Sequence, residues 1–136
     1  MNDLIVHHHL HRQRDWSERT FGPYSRPLRT EGVLDHIKKE VREIEAHPSD
    51  LEEWVDLIIL ACEGALSQGH SPEAIAKAWE AKQTKNEGRV WPDWQTVEPG
   101  KAIEHDRRMD CAAYRDGGDC KECDADGCVM MRSAYP

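Results

Sequence analysis

Between residues 49 and 69 the chain carries apolar side chains on nearly every side of a helix: Leu51, Trp54, Val55, Leu57, Ile58, Ile59, Leu60, Cys62 and Leu66. A helix that is apolar all round is buried on most sides, so this segment is expected at the centre of whatever the chain builds. Two acids, Glu53 and Asp56, interrupt it. An ionised carboxylate withdrawn from water is costly unless something pairs with it, and these two therefore need partners.

Three further helical segments flank this one. The first covers residues 4–20 and is broken by Phe21-Gly22-Pro23, with Pro27 following. The second starts near Gly32, places Val33, Leu34, Ile37, Val41 and Ile44 at helical spacing, and stops before Pro48. The central helix opens with Ser49-Asp50-Leu51-Glu52, read as a capping box with Ser49 as the cap. The fourth opens with Ser71-Pro72, a capping serine followed by proline at the first helical position, and fades around Glu87-Gly88. Residues 1–90 show no strand alternation. Short connections favour antiparallel neighbours, so the expected architecture is an all-α four-helix bundle. A bundle of this size covers its central helix poorly, which predicts completion by a second subunit. A domain over residues 1–104 is followed by a Cys-rich tail, 105–136, in which the aliphatic residues thin out. Trp91-Pro92-Asp93-Trp94 is expected to pack back onto the bundle.

Charge narrows the function classes. The 136 residues include 18 basic and 26 acidic ones, a net charge of −8, which argues against a nucleic-acid groove. The longest apolar run, 57–62, is far too short to span a membrane. The first twenty residues hold histidines and arginines where a signal peptide needs an apolar stretch, so a cytoplasmic setting with reduced thiols is expected. An acidic protein handles phosphates when divalent cations stand between the two sets of negative charge.

Glu40 and Glu43 are three residues apart and share a helix face; Glu53 and Asp56 repeat the relation on the next helix. The turn His47-Pro48-Ser49 sets the two helices side by side and antiparallel, with both pairs at similar height. Four facing carboxylates are either solvated surface acids or the ligands of hard cations such as Mg²⁺ or Mn²⁺. The apolar surroundings of Glu53 and Asp56 favour the second reading. Carboxylate-held Mg²⁺ suits phosphoryl chemistry, and no Walker loop, Rossmann fingerprint or Ser-His-Asp arrangement competes.

The pattern Glu40-x-x-Glu43 with Glu53-x-x-Asp56 resembles the metal signature of MazG-like, all-α nucleoside triphosphate pyrophosphohydrolases. Lys82-Gln-Thr-Lys-Asn86-Glu-Gly-Arg89 resembles that family's Lys-x-x-x-Asn-x-x-Arg element, which contacts substrate phosphates. Three more stretches are similar to the phage and bacterial dATP/dGTP diphosphohydrolases, MazZ type: Arg12-Gln-Arg-Asp-Trp16-Ser-Glu-Arg-Thr-Phe-Gly-Pro23, Thr30-Glu-Gly-Val-Leu-Asp-His-Ile37 and Trp91-Pro-Asp-Trp94. The resemblance covers about residues 10–105. It implies that Glu40, Glu43, Glu53 and Asp56 are catalytic metal ligands. It also implies a purine deoxynucleoside triphosphate substrate with guanine ahead, and a dimer or a tetramer of dimers. One departure is that only nine residues separate Glu43 from Glu53, fewer than in many MazG domains.

Independently of the family, Lys82, Lys85 and Arg89 at the end of the fourth helix are either a cationic clamp for phosphates or partners of the helix C-terminus. Lys82 and Arg89, seven residues apart, share a face with Asn86 if the helix persists to Arg89. Arg14, Trp16 and Phe21 can line a nucleobase pocket, though core packing serves the two aromatics equally well. His36 falls on the face of Glu40 and Glu43 and can steady that site; His7, His8, His9 and His11 read as a solvated face. Cys111, Cys120, Cys123 and Cys128 hold either a structural Zn²⁺ or inert thiols, and Cys62 reads as core. Two other functions remain open on sequence alone: a non-catalytic helical interaction protein, and a zinc-dependent regulator whose helices only oligomerise.

Overall fold

The first helix, α1 (Val6–Phe21), buries Leu10, Gln13 and Ser17, a stripe at helical spacing. It ends where Gly22 adopts a φ of 90°, open to glycine and strained for other residues, and returns its N–H to the carbonyl of Glu18. This computed structural model describes residues 5–107 together with the pairs 123–124 and 127–128.

Helix α2 (Arg29–Ala46) begins three residues earlier than its apolar periodicity indicates. Leu28, exposed and left-handed with φ 60°, makes the turn into it after Pro27. The early start matters because it brings Arg29 into the helix and into the core. Helix α3 (Leu51–Ser67) is capped by Asp50, whose side chain accepts the N–H of Glu52 at 3.0 Å. Asp50 thus takes the role expected of Ser49. Ahead of α4 (Pro72–Glu87), Ser71 caps as expected, its Oγ accepting the N–H of Ala74 at 3.1 Å.

Helices α2 and α3 form the most extensive pairing, with α1 packed on α3. The buried apolar core is Leu10, Val33, Ile44, Leu60, Cys62 and Leu66. Within the single chain α3 is covered only in part, as expected for a bundle of this size: Trp54, Val55 and Ile58 are exposed, as are Leu34 and Val41 on α2. The chain divides into two compact units, Met1–Ala81 and Lys82–Pro136. In the second unit the Nε1 of Trp91 donates to the carbonyl of Asn86 at 2.8 Å and its ring meets His105 edge-on, while Trp94 lies exposed in a short 3₁₀ turn. Two-residue strands β1 (Cys123–Asp124) and β2 (Gly127–Cys128) pair antiparallel, with Cys123 opposite Cys128. Cys111 and Cys120 lie outside the described residues. Among the described residues, no helix is long and apolar enough to cross a membrane.

Candidate active site

The tight turn between α2 and α3 lays the first turns of α3 against the second half of α2. This brings together Glu40, Glu43 and Glu53: one carboxylate oxygen of each lies within 4.8 Å of the other two. Glu40 is the buried member, 5 % exposed. His36, one turn back, sets its Nε2 2.8 Å from Oε1 of Glu40. The other oxygen, Oε2, is buried and has no hydrogen-bond partner among the described residues. Glu43 keeps a looser ion pair with Lys39 at 3.5 Å.

The charges of the neighbouring acids bear on Glu53. The Glu53 carboxyl is pushed above the usual carboxylate range by desolvation, then by the charges of Glu43, Asp50, Glu40 and Asp56. A buried acceptor without a donor, beside two more carboxylates, is a set of hard oxygens short of positive charge, and it fits a divalent cation of the Mg²⁺ or Mn²⁺ type.

Asp56 is exposed and stands outside the three clustered acids, one turn farther along α3. Glu53 is only half-buried. Burial therefore does not compel these two α3 acids to hold a cation; the buried acid of the group is Glu40, on α2. The open face follows from the exposure of Trp54, Val55 and Ile58 beside them.

A second feature of the same unit is an open cavity of about 340 Å³, lined by His9, Arg12, Gln13, Trp16 and Arg19 of α1 and by Ile59 of α3. Trp16 is half-exposed and braced edge-on by Phe21 at 5.3 Å. Arg14 is not among the lining residues. It donates to Nδ1 of His11 at 3.0 Å and pairs with Asp15 at 3.5 Å, while the other nitrogen of His11 meets Glu73 on α4.

The later candidates belong to the second unit. Helix α4 stops at Glu87, so Arg89 lies beyond its end instead of sharing a helical face with Lys82. Arg89 reaches back and donates through Nη1 to Oδ1 of Asn86 at 3.0 Å. That contact occupies the amide oxygen and leaves the Asn86 NH₂ as the group that can donate outward.

A buried polar knot around Glu63 was not visible in the sequence. Its Oε1 accepts from Ser17 Oγ and from Arg29 Nη2, the latter at 2.6 Å; its Oε2 accepts from Tyr24 OH at 3.1 Å and Gln13 Nε2 at 3.3 Å. Arg29 also lies over the rings of Phe21 and Tyr24, at 5.5 and 5.2 Å. Burial is the first cause that lifts the Tyr24 phenol to about 12, against lowering by Ser17, with the Glu63 charge adding to the rise. The available signal was Glu63 itself, a lone acid between Cys62 and Leu66 in the most apolar helix.

Comparison with curated proteins and with solved structures finds no match. A family model described as dATP/dGTP pyrophosphohydrolase matches residues 9–109, a span that holds the acid cluster, the cavity and the Asn86–Arg89 contact. The chain belongs to the dATP/dGTP pyrophosphohydrolase family, whose members are MazG-like nucleoside triphosphate pyrophosphohydrolases.

Proposed function

We propose that this chain converts a purine deoxynucleoside triphosphate, dGTP ahead of dATP, and water to the monophosphate and pyrophosphate, using Mg²⁺ or Mn²⁺ held by Glu40, Glu43, Glu53 and Asp56. The observation that carries the metal reading is the buried, unpartnered Oε2 of Glu40 within a group of three carboxylates. Such a cation lowers the pKa of a water and offsets charge on phosphate oxygens. His36 holds the other oxygen of Glu40 and so aims the carboxylate, as residues behind metal ligands do. Lys82, Asn86 and Arg89 take the phosphates: the Asn86 amide, turned by Arg89, offers its NH₂, and the arginine fork suits phosphate oxygens.

Trp16 and the cavity beside it receive the base, by stacking on a half-exposed indole. Arg14, held by His11 and Asp15 outside the cavity lining, takes no direct part in that pocket. Ile59 lies six residues beyond Glu53 on α3, about 9 Å along the axis and about 120° round it. The exposed apolar residues of α2 and α3 support a homodimer, or a tetramer built from dimers, in a cytoplasmic setting. In the tail, the spacing of Cys111, Cys120, Cys123 and Cys128 supports a structural Zn²⁺.

The test is pyrophosphate release from each common dNTP and NTP with Mg²⁺ or Mn²⁺, alongside Mn²⁺ binding by the unaltered protein and by Glu40→Gln. Pyrophosphate from dGTP and dATP, lost together with Mn²⁺ binding in the variant, is expected. Turnover that persists without divalent cations would overturn the metal reading.

A further inference from the structure

Gln13 belongs to both the cavity wall and the buried knot, and that double membership restricts what it can offer a ligand. Its side-chain nitrogen faces two acceptors: the carbonyl of Ile59 at 2.9 Å and Oε2 of Glu63 at 3.3 Å. An amide NH₂ has two hydrogens, and both are used. Turning the amide over would set its oxygen against a carboxylate and a carbonyl, neither of which can donate. Glu63 in turn is held by Arg29, Ser17 and Tyr24, so it does not move aside. Gln13 is 8 % exposed, and its Oε1 takes no hydrogen bond among the described residues. Of this amide, the oxygen is therefore the atom left for a ligand in the cavity.

We infer that Glu63 locks Gln13 as an acceptor-only reader of the base, and that this lock selects the guanine edge. The inference rests on the reading of the Trp16 cavity as the base pocket. A free glutamine reads adenine with both ends of its amide, donating to N7 and accepting from N6. The lock removes the donor and with it that bidentate contact. Guanine instead presents N1–H and the N2 amine side by side to a single acceptor, and its O6 and N7 are acceptors suited to an arginine fork. Arg12 and Arg19 on the cavity wall carry donors only. One locked acceptor and two cationic donors complement guanine better than adenine. Gln13 is thus a specificity residue, and Glu63 a positioning residue that acts through it.

The experiment compares kcat/KM for dGTP and dATP in the unaltered protein and in Gln13→Met, Glu63→Gln and Trp16→Ala. Gln13→Met should lower use of dGTP by about tenfold, the weight of one hydrogen bond, and use of dATP much less. Glu63→Gln, which can turn an NH₂ towards Gln13 and release its amide, should lower the dGTP/dATP ratio in the same direction; loss of folding alone would not move that ratio. An unchanged ratio in both variants overturns the inference. If neither variant folds, the unaltered protein decides: 1-methyl-dGTP, which lacks the N1–H, should be used at least about tenfold less well than dGTP, and equal use overturns the lock. Trp16→Ala separates the two levels. A higher KM for both nucleotides upholds the base pocket whatever the Gln13 result, whereas unchanged KM values bring down the pocket and the lock together.

Discussion

Arg29 and Glu63, thirty-four residues apart in sequence, meet at 2.6 Å with about a tenth of either side chain exposed. Removing one partner from such a pair leaves a buried charge without compensation. Glu63→Ala should therefore lower the unfolding free energy by about 3–5 kcal/mol, read from the midpoint of urea denaturation at constant slope. A loss below about 1 kcal/mol, the range of a surface pair, would show that water reaches Arg29.

At the acid cluster, Glu40→Gln, Glu53→Gln and Asp56→Asn should each abolish turnover while the helical circular dichroism stays unchanged. Glu40 has the only fully buried carboxylate of the clustered three, so its variant should also lose the most Mn²⁺ affinity. Near-normal hydrolysis by the Glu40 or Glu53 variant would sink the metal assignment; near-normal hydrolysis by Asp56→Asn alone would reduce the ligand set to three.

The raised Glu53 carboxyl gives a pH signature. Folding favours its protonated form, so its contribution to stability is full below the ordinary carboxylate range and is lost as pH rises through the raised value. In metal-free protein, the stability of the native chain relative to Glu53→Gln should fall as pH climbs from about 4 towards neutrality, near the usual glutamate value. Saturating Mn²⁺ should reverse the trend. A difference that is flat with pH would mean that the neighbouring acids do not sense one another.

Arg89→Ala should reduce kcat/KM for the triphosphate by about 2–3 kcal/mol, as for loss of a charge-assisted bond. Mn²⁺ affinity without nucleotide should stay the same. Loss of Mn²⁺ affinity with nucleotide binding intact would move Arg89 from the phosphates to the support of the metal site.

Light scattering at micromolar concentration should give at least a dimer mass. Trp54, Val55 and Ile58 on α3 and Leu34 and Val41 on α2 expose more apolar surface than a lone small bundle normally keeps. A monomer mass would leave that surface unexplained.

Helix positions were largely legible in the sequence because caps and periodicity are local. Ser71-Pro72 announced α4, and the spacing of Val33, Ile37, Val41 and Ile44 announced α2. The facing of Glu40, Glu43 and Glu53 was legible too, since a tight turn and a three-residue spacing fix it. What failed was non-local or depended on one residue's conformation. Leu28 enters the left-handed region and starts α2 early, which periodicity cannot show; with Arg29 placed in a loop, Glu63 had no visible partner. Helix α4 ends at Glu87, where it was expected to fade, so the condition for Arg89 to share a face with Lys82 is not met. The partial cover of α3 was legible as well, because apolar composition says that a face seeks cover, not that its own chain supplies it.

The placement of Gln13 has a consequence for how this protein can change. The amide is held by the same carboxylate that closes the core, so a substitution at Glu63, Arg29 or Ser17 that altered base choice would also weaken the fold. Variation in substrate range is then channelled to positions that bear no such double duty. Arg12, Trp16 and Arg19 are all exposed on the cavity wall, and there a lineage, or a protein engineer, can retune recognition without first having to rescue stability.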